Sequence, residues 1–98
     1  MQKTKGLLTA EVQIQGGKLE LLKQIESFLP GTITVRKKTI IPGPNNQNTI
    51  SMDVEYGPVW GGWASDIRSH FTRAAIKSGT KATVMISRVK RTVVETRE

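Results

Sequence analysis

Residues 7–29 read LLTAEVQIQGGKLELLKQIESFL, and the change of period inside this stretch decides how the chain folds. Leu8, Ala10, Val12 and Ile14 share one side of a two-residue repeat, with Thr9, Glu11 and Gln13 on the other, the pattern of a strand buried on one face. Gly16 and Gly17 end that strand. From Lys18 to Leu29 the apolar positions take helical spacing, so that Leu21, Leu22, Ile25, Phe28 and Leu29 form a stripe opposite Glu20, Lys23, Gln24 and Ser27. Pro30 and Gly31 stop the helix. Its outer face mixes acids and bases, which marks it as structural.

Further along, Thr32 to Ile41 opens with β-branched alternation and then carries Arg36, Lys37 and Lys38 in succession. The polar turn Pro42–Asn48 leads to a third strand, Thr49 to Tyr56, whose inward positions are Ile50, Met52, Val54 and Tyr56. This pair reads as a hairpin with a long tip, and its basic stem either follows a phosphate backbone or guards a strand edge. A glycine-rich loop containing Trp60, Gly61, Gly62 and Trp63 then enters a second helix. Helical spacing from Trp63 places Ile67, His70, Phe71, Ala74 and Ser78 inward and Ser65, Ser69, Thr72 and Arg73 outward. By that register Trp63 belongs to the core and Trp60 is the exposed aromatic. Ser78 and Gly79 end the helix, and a fourth strand begins at Lys81 with Ala82, Val84 and Ile86 inward. Beyond Ser87 the alternation fails. The strand there leaves the sheet, bulges, or pairs elsewhere.

The order strand, helix, strand, strand, helix, strand predicts an α+β fold: a split βαβ, ferredoxin-like sandwich with two helices on one face of a four-stranded antiparallel sheet. A different α+β pairing of the hairpin and the tail is the alternative. A chain of 98 residues with 37% hydrophobic content makes one domain, residues 1–98, with 88–98 as a C-terminal arm. Without cysteine there is neither a disulfide framework nor a thiolate site, and no apolar run is long enough to cross a bilayer. The expectation is a cytoplasmic protein with no membrane partner.

The formal net charge is +7, and residues 66–91 hold seven Lys or Arg against the single acid Asp66, so +6 of the total sits there. Clustered cations of this kind suit a polyanion. The reading is a small basic, non-catalytic nucleic-acid-binding protein that contacts mainly phosphates with low sequence specificity. Its expected contacts are Arg36, Lys37, Lys38, Trp60, Arg68, Arg73, Lys77, Lys81, Arg88, Lys90 and Arg91. RNA-recognition motifs share this order of elements and stack bases on aromatics of the sheet face. Here the outward positions Thr9, Glu11, Gln13, Ser51, Asp53 and Glu55 hold three carboxylates and no aromatic, which argues against that mode.

Two other functions stay open. A protein-binding module, an inhibitor or assembly factor, would set the same basic surface and Trp60 against an acidic partner. A small ribonuclease would use His70 with Arg68 or Arg73. His70 is the sole histidine, and with Asp66 it makes too small a set to hold a metal, so no metal or cofactor is expected. Gly61 and Gly62 before a helix fit a turn better than an anion site, because Asp66 competes for the same amide donors. Val93 and Val94 suggest a strand exchanged with a second copy, and hence a homodimer.

Overall fold

A computed structural model describes residues 3–61 and 63–97. The strands are β1 (Lys3–Gln15), β2 (Ile33–Ile41), β3 (Thr49–Trp60) and β4 (Thr83–Arg97), and the helices are α1 (Leu19–Gln24) and α2 (Ala64–Ser78). The fold is α+β, an open four-stranded antiparallel sheet in the order β2-β3-β1-β4 with two helices. Leu8, Ala10, Val12 and Ile14 of β1 and Ile50, Met52, Val54 and Tyr56 of β3 are buried as their alternation requires. Leu22, Ile25, Ile67, Phe71, Ala74 and Ala75 from the helical layer close the core over them.

The first helix is shorter than its apolar stripe. After Gln24 the chain tightens into a 3-10 turn, Ile25–Phe28. Tightening from 3.6 to 3.0 residues per turn swings the stripe around, which leaves Phe28 exposed while Ile25 stays buried. At the far side of the hairpin, Asn48 is buried because both ends of its amide are used: Nδ2 donates to the Gly17 carbonyl and Oδ1 accepts from the Gly43 amide.

β1 is the regular strand; β3 and β4 bulge against it, and β2 bulges against β3. Between Val35 and Lys37, β2 slips by one residue relative to β3. On β3, Gly57 and Pro58 together face Leu7, between the pairs Leu8–Tyr56 and Gly6–Val59. On β4, Arg88 and Val89 face Ala10, with Arg88 in the left-handed region at φ 54°, and Val94 is a further extra residue between the partners of Lys5 and Gly6. A bulge shifts the two-residue period, so every side chain beyond it changes face. The failed alternation after Ser87 is therefore a bulge, one of the three alternatives. Residues 88–97 continue β4 along β1 to the pair Lys3–Arg97.

The molecule is elongated, 52 × 22 × 17 Å. The 15 residues of β4 extend about 50 Å at about 3.3 Å each, whereas the 15 of α2 reach only about 22 Å at 1.5 Å each. One end of the sheet thus projects beyond the helices. Val93 and Val94 lie there, 59% and 53% exposed.

Candidate nucleic-acid interface

The expected basic contacts do not form one surface; the bulges and the helix distribute them over three. Arg36, Lys37, Arg88 and Lys90 line the open face of the sheet, opposite or beside Glu55, Asp53, Glu11 and Thr9. Here the cations meet the carboxylates of the central strands. Arg36 pairs with Glu55 at 2.6 Å and Arg88 with Glu11 at 3.5 Å. Asp53 stands directly across from both Lys37 and Glu11 in the ladder. The centre of this face is a shallow polar groove whose acids are largely matched. Lys38 stands apart: the bulge at Arg36 returns it to the helical side, opposite Met52, where its ammonium is 3.6 Å from Glu26.

α2 carries the second group. Arg68 is tied into the fold, since its Nη1 donates to the Val84 carbonyl at 3.0 Å and links the helix to β4. Arg73 and Lys77 sit on the exposed face with Ser69, Thr72 and Ile76, and Lys81 follows in the exposed connection to β4. Among the described residues, none of Arg73, Lys77 and Lys81 has a carboxylate within salt-bridge distance. The one acid of the helix, Asp66, accepts the Trp63 amide at 2.8 Å and so caps the helix start. That use of Asp66 takes up a donor that an anion would need. Gly61 has φ 65°, as a turn glycine does, and Gly62 lies outside the described residues.

The third group occupies the projecting end of the sheet, where the tryptophans differ from expectation. Trp63 is not core: it is 65% exposed and precedes the first helical residue in extended backbone, so the helical register from which its burial was read begins only after it. The Arg91 guanidinium lies 5.6 Å from its ring, having crossed over Gly6, where a Cβ would come within 2.8 Å of the arginine Nε. Trp60 is 41% exposed. Period two from Tyr56 would turn it toward the helices, but the Gly57–Pro58 bulge reverses it. It stands opposite Lys5 on the open face with the lysine Nζ 5.9 Å from the ring. Sequence reasoning missed Lys5 and the aromatic on the open face because it ended β3 at Tyr56, before the bulge.

His70 is half-buried with its ring 5.7 Å from that of Tyr56. Among the described residues no three of His, Asp or Glu come together as metal ligands, and no helix is long and apolar enough to cross a membrane. No protein-family model matches this sequence, and comparison with curated proteins finds no match. The functional reading rests on the geometry.

Proposed function

We propose that this protein is a small, non-catalytic, cytoplasmic nucleic-acid-binding domain that contacts mainly phosphates with low sequence specificity. The observation that carries the proposal is the segregation of charge. The acids of the open sheet face stand among Arg36, Lys37 and Arg88, while Arg73, Lys77 and Lys81 on and beyond α2 have no acidic partner among the described residues. Uncompensated cations on a convex helix favour a polyanion, because each phosphate they neutralise releases condensed counterions. His70 packed on Tyr56 and Asp66 engaged at the helix start speak for binding over ribonuclease chemistry.

We also read the order β2-β3-β1-β4 as the split βαβ, ferredoxin-like arrangement. β1 and β2 both run antiparallel to β3, which lies between them, and β3 and β4 flank β1 in the same way. In this reading a homodimer forms along the outer edge of β4, which no strand covers among the described residues.

Fluorescence anisotropy with labelled DNA and RNA over a salt series tests the functional proposal. Binding should weaken with a log–log slope to which each phosphate contact adds about 0.7 to 0.9. The Arg73→Glu, Lys77→Glu double variant should weaken binding to all sequences alike. If no oligonucleotide binds at low salt, the proposal fails and an acidic protein becomes the partner to seek.

A further inference from the structure

The projecting end of the sheet holds the two tryptophans in an arrangement that phosphate binding alone does not use. They lie on different sides of it, Trp60 with Lys5 on the open face and Trp63 with Arg91 on the helical side, at the start of α2. Both are much more exposed than core aromatics such as Phe71, which is fully buried. Packing does not demand either indole: the core closes without them around Ile67, Phe71 and Tyr56. Each ring carries a cation over one face, while exposures of 41% and 65% leave other ring surface of Trp60 and Trp63 open to solvent beside that charge.

We propose that Trp60 and Trp63 are stacking platforms for unpaired bases, so that the nucleic acid this protein prefers is single-stranded. The inference rests on the nucleic-acid reading above and specifies its substrate. An indole offers every base a π-face without reading its edges, which suits low sequence specificity. A neighbouring lysine or arginine meets the adjoining phosphate and polarises the stack. Strand type follows from the placement. Duplex bases stack on one another inside a rod that is stiff over about 150 bp, so they do not reach two indoles turned to different sides of a narrow sheet. A flexible single strand can pass round the end and give one base to each. The Arg73–Lys77–Lys81 surface then takes the phosphates of whichever nucleic acid is bound.

The test uses the full chain and its own fluorescence, because the only tryptophans are these two. Oligo(dT), oligo(U) and a DNA duplex of equal length are titrated at low salt, with anisotropy of labelled strands in parallel. The inference expects tighter binding of the single strands than of the duplex, and quenching of the tryptophan emission by the single strands. It expects Trp60→Ala and Trp63→Ala each to weaken single-strand binding on the order of ten- to a hundredfold. Duplex binding should be unchanged, and Trp60→Phe and Trp63→Phe should restore part of the loss. Equal affinity for duplex and single strand, unaltered by the alanine variants, overturns the stacking inference and leaves the phosphate-binding function standing. Absence of binding to every oligonucleotide overturns both. Circular dichroism of each variant establishes that it is folded, and the phenylalanine variants carry the test if an alanine variant is not.

Discussion

At φ 117°, Gly57 occupies backbone space that other residues rarely adopt, and a Cβ there would lie 2.7 Å from the Gly6 carbonyl oxygen. A side chain at this position strains the bulge that turns Trp60 to the open face. Gly57→Ala should therefore lower stability by about 1 to 3 kcal/mol in urea denaturation. The tryptophans and Phe71 separate exposed from core aromatics in the same assay. Phe71→Ala should cost about 3 to 5 kcal/mol, whereas Trp63→Ala should cost under about 1 kcal/mol, the scale of one exposed cation–π contact. A loss at Trp63 as large as at Phe71 would restore it to the core. Tyr56 adds a pH dependence. Burial, and secondarily the Asp66 carboxylate, raise its phenol above the usual value. The unfolded chain then ionises first, so this contribution to stability is complete below about pH 10 and falls away as pH rises through the folded-state pKa. Denaturation midpoints measured from pH 8 to 11 should fall more steeply for the wild type than for Tyr56→Phe.

Among the elements, α2 has two charged roles that the sequence pattern merges. Arg68 bonds a β4 carbonyl, whereas Arg73 and Lys77 face solvent. Arg68→Ala should reduce stability by about 1 kcal/mol through the lost charge-assisted bond at an exposed site. Arg73→Ala and Lys77→Ala should stay within about 0.5 kcal/mol of the wild type while weakening binding. The measurement is thermal unfolding alongside anisotropy, and a stability loss at Arg73 equal to that at Arg68 would contradict the division. The bulges make the corresponding division within the strands. Arg36, the Gly57–Pro58 pair and Arg88 each interrupt one ladder, and beyond them Lys37, Trp60 and Lys90 lie on the open face.

For the whole molecule, the sheet projects beyond the helical layer at one end, and β4 runs along its outer edge for its full length. The backbone groups on that edge, with Val89, Val93 and Val94 exposed at 45%, 59% and 53%, are what a second copy would pair with. Light scattering at high micromolar concentration should give a dimer, and Val93→Lys with Val94→Lys should give a monomer. A monomeric wild type would remove the edge-pairing idea. Dimerisation would also place two basic helices on one particle and raise avidity for a long polyanion.

The alternation in residues 7–15, 32–35, 49–56 and 81–86, with the helical stripes through Leu22 and Ile25 and through Ile67, Phe71 and Ala74, was sufficient to place four strands, two helices and most of the core. These are local patterns in which burial repeats with the backbone period, so they can be read without knowing what lies opposite. The faces taken by Lys37, Trp60, Lys90 and Arg91 could not be read that way. Each follows a bulge, and a bulge exists only in relation to the strand it pairs with. Trp63 was misplaced for a related reason, since a periodicity cannot show where the helix begins, and the Asp66 cap starts it one residue later. The concentration of charge in residues 66–91 was plain from the chain. Which of those cations are matched was decided in three dimensions, by Glu11 of β1 for Arg88 and by the Val84 carbonyl for Arg68, because pairing needs proximity and proximity here comes from the sheet.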